Sequence, residues 1–339
     1  MPEQAVNWTA AAIRELVAAV DAPRVAVLLP CYNEEATVAD VIADFRAALP
    51  DADIYVYDNA STDATSELAT SAGAIVRREP LRGKGNVIRR MFADIDADIY
   101  VMADSDGTYD AAAAPKLVER LIGDNLDMVV GTRAGGGAAA YRWGHVFGNR
   151  MFNKVVAMLF GDGLHDILSG YRVFSRRFVK SFPALSAGFE TETELSVHAL
   201  DLRLPVAEIE TAYGARPSGS ESKLRTVRDG ISILSTIMLL FKEVHPFWFF
   251  GAVSALFAAL SLGLAYPIFV DYLLTGEVPR FPTAILATGI MLLACLGFAC
   301  GLILDSVCRG RREAKRMCYL ALASVGAKLP QDERIRPQG

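Results

Sequence analysis

The chain has 339 residues, 52% of them hydrophobic, with a formal net charge of −5 and a mean hydropathy of +0.28. That length accommodates about two domains, and the acidic balance excludes nucleic acid as a partner, because no basic stripe is present to neutralise a phosphate backbone. The apolar excess is concentrated towards the C-terminus and points to membrane spans, while five cysteines without a CxxC spacing support neither a disulfide framework nor a zinc site.

The N-terminus carries Glu3 and lacks a basic n-region, so no secretory signal is expected. Trp8, Ala12, Ile13, Leu16, Val17 and Val20 recur at helical spacing, making residues 1–23 an N-terminal packing or membrane-surface helix. Residues 25–29 are a continuous apolar run ending at Pro30, the pattern of a strand buried on both faces. The polar turn Pro30-Cys31-Tyr32-Asn33-Glu34-Glu35 follows, then a helix over residues 38–49 with Thr37 as its N-cap. The unit repeats as a strand at 54–57, the loop Asp58-Asn59-Ala60-Ser61-Thr62-Asp63, and a helix at 64–72 closed by Gly73. A third strand at 74–77 leads through Arg82-Gly83-Lys84-Gly85-Asn86 into a helix carrying Val87, Ile88, Met91 and Phe92. A fourth, at 99–103, ends in Asp104-Ser105-Asp106-Gly107.

Strands alternating with helices predict an α/β fold with a mainly parallel sheet. Each polar loop follows a strand, so all converge on the edge where open α/β sheets bind ligands. There Asn33, Glu34, Asp58, Asn59 and Ser61 offer donors and acceptors for a base and ribose. Glycines beside Lys84 let the backbone approach a diphosphate, with the lysine as a point charge. Asp104 and Asp106 suit Mg²⁺ or Mn²⁺ held against substrate phosphates. No G-x-G-x-x-G follows the first strand and no G-x-x-x-x-G-K-[ST] occurs, which excludes a Rossmann dinucleotide site and a P-loop.

Taken in order, the motifs at 30–35, 58–63, 82–85 and 104–107 resemble those of the family 2 glycosyltransferases with the GT-A fold, over residues 24–223. The resemblance implies inverting transfer from a nucleotide-diphosphate sugar bound by Pro30, Tyr32, Asn33, Glu34, Asp58, Asn59, Lys84, Asp104 and Ser105. It places Asp58 near the nucleoside and Asp104 and the catalytic Asp106 at the metal. Many relatives carry a second aspartate where Asn59 stands.

A fifth strand at 128–130 precedes Gly131-Thr132-Arg133 and a glycine-alanine tract at 135–140 that reads as a lid over the acceptor. A helix carrying Phe147, Met151, Phe152, Val155, Met158 and Phe160 leads to Asp166-Ile167-Leu168-Ser169-Gly170-Tyr171-Arg172. This stretch resembles dolichyl-phosphate mannose synthases and bacterial polyprenyl-phosphate glycosyltransferases. By that resemblance Arg133 is catalytic and meets the acceptor phosphate, with Arg142, Asn149, Ser169 and Arg172 in the acceptor region, near His145 and Arg150. Asp166 is the candidate positioning group or base. Glu190, Glu192 and Glu194 form either a solvated helix face or a group orienting Arg172. Residues 206–211 read as an edge strand, and the serine-rich loop at 216–223 as a linker or a flap over phosphate.

Residues 231–241, within a juxtamembrane segment at 224–246, are flanked by Arg225, Arg228 and Lys242 and read as an interfacial amphipathic helix. Residues 247–270 and 281–304 contain no charged side chain, and each is long enough to cross a hydrocarbon core of roughly 30 Å. Arg309, Arg311, Arg312, Lys315 and Arg316 follow the second span. The positive-inside rule then sets the catalytic domain and a basic tail at 306–339 on the cytoplasmic side of a bacterial inner membrane, anchored by a two-helix transmembrane hairpin at 247–305. The expected activity is sugar transfer to a polyprenyl phosphate, whose second ionisation near pH 6 makes it its own nucleophile. A diacylglycerol or other glycolipid acceptor, and a non-catalytic nucleotide-sensing scaffold, are the alternatives. The glutamines are Gln4, Gln331 and Gln338, so the Gln-x-x-Arg-Trp of processive synthases is missing. Relatives form homo-oligomers, and the same is expected here.

Overall fold

The computed structural model describes residues 23–134, 164–188, 190–214 and 226–325. The expected N-terminal helix, the glycine-alanine tract, the helix through Phe160 and the loop at 216–223 lie outside the described residues. The chain divides into two compact units, residues 1–233 with 317–339, and residues 234–316.

The first unit is built on a seven-stranded sheet. Its strands are β1 (Val25–Cys31), β2 (Asp53–Asp58), β3 (Ile75–Arg78), β4 (Ile99–Met102), β5 (Met128–Ala134), β6 (Arg172–Ser175) and β7 (Val206–Ala212), in the spatial order β3-β2-β1-β4-β6-β5-β7. β1 pairs in parallel with both β2 and β4, Leu28 lying opposite Tyr55 on one side and Met102 on the other. Val27, Leu28 and Leu29 are fully buried, which is why the strand is apolar on both faces. Helices α1 (Val38–Ala48), α2 (Thr65–Ser71), α3 (Lys84–Asp94) and α4 (Ala114–Gly123) connect the parallel strands. Ile42 and Phe45 of α1 and Leu117 and Leu121 of α4 enter the same apolar core, each such side chain contributing roughly 1.5–3 kcal/mol.

The chain moves from β1 to β3 in one direction, then crosses to β4 on the other side of β1. This reversal opens a crevice at the carboxyl ends of β1 and β4, the usual ligand position in open α/β sheets. Thr37 stands before α1 as expected, but it does not cap the helix; its hydroxyl donates instead to the Ser105 carbonyl at 2.7 Å and so bridges the crevice. Gly73, at φ +84°, follows the end of α2 in the left-handed conformation that closes helices.

β7 is the outer strand, parallel to β5. β6 runs antiparallel between β4 and β5, which the alternating pattern did not reveal. Because β6 is reversed, the segment entering it, residues 164–171, comes to the edge that carries the carboxyl ends of β4 and β5. Helices α5 (Arg176–Ser181) and α6 (Thr191–Asp201) then precede β7.

After β7 come α7 (Thr226–Val244), α8 (Pro246–Thr275) and α9 (Phe281–Leu320). α8 and α9 are long and apolar enough to cross a membrane. Their contact uses small side chains: the Ser261 hydroxyl donates to the Ala287 carbonyl at 2.7 Å, and a Cβ on Gly297 would lie 2.8 Å from Ser254 Oγ. Such residues let apolar helices approach closely.

The last turn of α9 belongs to the first unit. Val325 joins the apolar core, and the Tyr319 hydroxyl donates to the fully buried Asp127 at 2.8 Å. The same carboxylate accepts hydrogen bonds from Ser175 Oγ at 2.7 Å and Arg177 Nε at 2.5 Å, and the Arg177 guanidinium lies over the Tyr319 ring, 4.7 Å from its centroid. Residues 317–325, which read as part of a basic tail, are thus held within the first unit at the base of β5. Tyr319→Phe keeps the ring and loses one hydrogen bond, an expected cost of about 1 kcal/mol. Asp127→Ala leaves Arg177 without its carboxylate and is expected to cost about 3–5 kcal/mol. Thermal unfolding of the full-length protein in detergent checks the ranking, and equal small losses would contradict it.

Candidate active site

The loops after β1 and β2 are stapled into one wall. Asn33 and Ala60 adopt left-handed conformations, at φ +52° and +57°, which turn the two loops towards each other. Ser61 Oγ accepts the Asn33 N–H at 2.9 Å, and Asn33 Oδ1 accepts the Thr62 N–H at 2.8 Å. Glu35 and Asp63 exchange the same kind of bond, each carboxylate taking a backbone N–H of the other loop, and the Glu34 N–H donates to Thr65 Oγ1. Asp58 is buried at the root of this wall, accepting the Ser61 N–H at 2.9 Å and lying 3.7 Å from Arg78 Nε. Tyr32 stands at the entrance under Arg82, whose guanidinium is 5.0 Å from the ring centroid.

Asn59 has an internal task. Its Oδ1 accepts the Gly83 N–H at 2.7 Å, while Nδ2 donates to the carbonyls of Glu79 and Leu81 at 3.0 and 2.7 Å. An aspartate has no N–H to give those two carbonyls, which is a physical reason for asparagine here. Ser105 is likewise turned inward, donating to the Pro30 carbonyl at 3.1 Å and so tying β4 to β1. Asp106 accepts both the Thr108 N–H at 3.1 Å and its hydroxyl at 2.6 Å.

The centre of the site is Lys84. Its ammonium bridges Asp104 and Glu192, the latter at 2.5 Å. Burial alone would push the lysine down, but the two carboxylates outweigh it and hold it charged, above its ordinary range. The flanking glycines serve packing: a Cβ on Gly83 or Gly85 would strike the carbonyls of Ala187 and Ser186. That segment is fixed by Glu194, which accepts the N–H groups of Leu185 and Ser186 at 2.9 and 2.8 Å. Glu192 and Glu194 are therefore buried, not a solvated face. The sequence marked this acidic stretch but not its partners, since Lys84 is more than a hundred residues away in the chain.

The loop at 164–171 joins this centre to an arginine. At one end, a Cβ on Gly170 would lie 2.8 Å from Asp104 Oδ2 and 3.1 Å from Lys84 Nζ, and the Gly170 N–H donates to the Tyr109 hydroxyl at 2.9 Å. At the other, Asp166 takes a two-pronged hydrogen bond from Arg133, at 2.9 Å from Nε and 2.6 Å from Nη2. Burial pushes the Asp166 carboxyl up, but Arg133 overrides it and holds the group below the usual carboxylate range. Glu208 on β7 accepts the N–H groups of both His165 and Asp166, a positioning role that no motif announced. Ser169 and Arg172 are fully buried: Ser169 Oγ donates to the Gly131 carbonyl, and the Arg172 guanidinium donates to Ile167, Ser169 and Ser196. Arg142, His145, Asn149 and Arg150 lie outside the described residues.

Among the described residues, no group of three or more His, Cys, Asp or Glu side chains is arranged to hold a metal ion. Asp104 and Asp106 still fit Mg²⁺ or Mn²⁺, which binds through one or two carboxylates with the remaining positions left to water and phosphate. Asp104 already draws an ammonium to itself, so cationic charge is stable at this spot.

A family model described as glycosyl transferase family 2 matches residues 26–182. Glycosyltransferase AglJ of Haloferax volcanii is 38% identical over 251 residues, covering 73% of this chain and 81% of the relative. The chain belongs to glycosyltransferase family 2. This glycosyltransferase is also 28% identical over 213 residues to a dolichyl-phosphate hexose transferase of the same organism, covering 63% of the chain and 92% of that relative. Its fold matches the crystal structure of glucosyl-3-phosphoglycerate synthase from Mycobacterium tuberculosis in complex with Mn²⁺, uridine-diphosphate-glucose and phosphoglyceric acid. The TM-score is 0.55 at 27% identity, covering 69% of this chain and 84% of that one. The GT-A assignment and the transferase class made from the motifs therefore hold.

Gly170→Ala places a methyl group against the Asp104 carboxylate, the end of a side chain that can move. The glycosyltransferase is expected to fold normally and lose activity by more than tenfold. Unchanged transfer with an unchanged unfolding temperature would show that this close approach has no role.

Proposed function

We propose that this glycosyltransferase moves a sugar from a nucleoside-diphosphate donor to a polyprenyl phosphate at the cytoplasmic face of a bacterial inner membrane. The observation that carries the reading is the 164–171 loop, which sets Gly170 against the Lys84–Asp104 pair and Asp166 against Arg133. One short segment thus connects a site for a diphosphate to a guanidinium suited to a second phosphate. The relative named a dolichyl-phosphate hexose transferase supports a lipid phosphate as acceptor, and the Mn²⁺ and UDP-glucose bound by the mycobacterial synthase support a metal and a nucleotide sugar. The two membrane-length helices, with basic residues after the second, support the anchored, cytoplasmic arrangement.

In this reading the wall of Tyr32, Asn33, Glu34 and Asp58 receives the nucleoside, and Lys84 neutralises diphosphate charge. Bound at Asp104 and Asp106, Mg²⁺ or Mn²⁺ supplies further charge stabilisation for the departing nucleoside diphosphate. Arg133 orients the acceptor phosphate, one oxygen of which forms a bond to the anomeric carbon. The bond from that carbon to the diphosphate breaks on the opposite face, and the leaving group keeps the electron pair. A phosphate monoester is largely ionised at pH 7, so no protein base is required, and Asp166 serves as the positioning residue for Arg133. Ser169 and Arg172 support the loop from inside and do not touch the acceptor.

The test is transfer of labelled sugar from UDP- and GDP-sugars to undecaprenyl phosphate by the full-length protein in detergent with Mg²⁺ or Mn²⁺. A labelled, mild-acid-labile lipid is expected; label appearing only on a diacylglycerol or glycolipid would replace the reading. Asp166→Asn should lower kcat/KM by about a hundredfold, the scale of a small misplacement of reacting groups. The Asp166 carboxyl is held low, so it stays ionised from pH 5 to 8, and the contribution of its pair with Arg133 to stability is lost only as the pH falls below about 4. A fall in rate below about pH 6 is expected from the acceptor's second ionisation and should persist in the variant. Its disappearance would make Asp166 the base.

A further inference from the structure

We propose that Lys84 is the resident counterion of Asp104 and competes with the divalent metal for that carboxylate, so that metal and nucleoside diphosphate bind as a coupled pair. The inference rests on the reading of the site as one for a nucleotide sugar and adds how that site is loaded.

The ammonium bonds Asp104 Oδ1 and Glu192 Oε1 together; Lys84 and Glu192 are buried, while the Asp104 side chain is 31% exposed and open to an arriving ion. Two carboxylates and one ammonium leave a net charge of −1. A divalent ion arriving alone at Asp104 must take over a carboxylate that already has a cation and then stand beside that cation in a poorly screened site. A nucleoside diphosphate reverses this. Its oxygens give the ammonium a new partner, release Asp104 and rebalance the charge.

The surroundings confine the adjustment to the lysine side chain. The backbone around Lys84 is fixed, because Gly83 and Gly85 fit closely against Ala187 and Ser186 and Glu194 clamps that segment by two N–H groups. The lysine stem is flexible and its head carries three donors, so Nζ can exchange one partner without movement of the backbone. Glu192 provides the fixed end of the exchange. Its second oxygen, Oε2, is buried and has no hydrogen-bond partner among the described residues, so this carboxylate depends on Lys84 and retains it when Asp104 is released. Binding free energies of two ligands are reciprocal: whatever factor the nucleotide adds to metal affinity, the metal adds to nucleotide affinity.

The test is Mn²⁺ binding to the full-length protein in detergent, read by electron paramagnetic resonance, alone and with UDP or GDP. In the wild type, Mn²⁺ is expected to bind at least tenfold more tightly with one of the two nucleotides. Lys84→Met should bind Mn²⁺ about tenfold more tightly than the wild type without nucleotide, and the coupling should fall towards one. Glu192→Gln leaves Asp104 as the lysine's sole carboxylate and should weaken Mn²⁺ binding in the absence of nucleotide. This second variant shifts affinity in the opposite direction and remains informative if Lys84→Met fails to fold. Equal Mn²⁺ affinity in wild type, Lys84→Met and Glu192→Gln would overturn the proposal. If Lys84→Met gains bare Mn²⁺ affinity while neither nucleotide affects the wild type, Lys84 is upheld as counterion and the nucleotide-sugar reading is what fails.

Discussion

The ammonium of Lys84, held between Asp104 and Glu192, is the interaction on which the site depends. A buried carboxylate without a partner is strongly disfavoured, and here the buried Glu192 at the start of α6 and the partly exposed Asp104 beyond the end of β4 approach from different elements. Lys84 enters from the first residue of α3 and links them. The glycines beside it, the clamp by Glu194 and the close fit of Gly170 all hold the backbones near enough for that one charge to serve both sides.

A second constraint is the direction of β6. Were β6 parallel to its neighbours, residues 164–171 would lie at the opposite edge of the sheet, away from the carboxyl ends of β4 and β5. Running antiparallel, it delivers a single loop that touches the Lys84–Asp104 pair through Gly170 and Arg133 through Asp166. Glu208 fixes the start of this loop by accepting two consecutive N–H groups, and Ser169 and Arg172 fix its end from within. The plane of the Arg133 guanidinium is thus set by the fold itself.

Several polar residues of the motifs maintain the architecture. Asn59 carries the loop into α3, Ser105 and Thr37 bridge β4 and the first loop, and Asn33 and Glu35 stitch the loops after β1 and β2. A wall made of loops has few ladder hydrogen bonds of its own, and side chains satisfy its backbone groups instead. Residue type at such positions reports the geometry of the turn as much as contact with a ligand.

The sequence by itself determined the alternation of strands and helices as far as β4, the strands at β5 and β7, the carboxylate pair at 104 and 106, the acidic stretch near 192 and the two long apolar helices. These follow from patterns local to the chain: apolar runs for strands buried on both faces, polar loops where they end, and the length needed to cross a bilayer. What only the tertiary structure decided are relations between distant segments. They include the reversal of β6, the pairing of Lys84 with Glu192, the two-pronged Arg133–Asp166 contact, the inward turn of Asn59 and Arg172, and the strap of Tyr319 on Asp127. Periodicity records which face of an element is buried, but carries no information about which partner covers it. A glycine next to Lys84 reads the same whether it admits a diphosphate or the carbonyl of Ala187, and only the packed chain distinguishes the two.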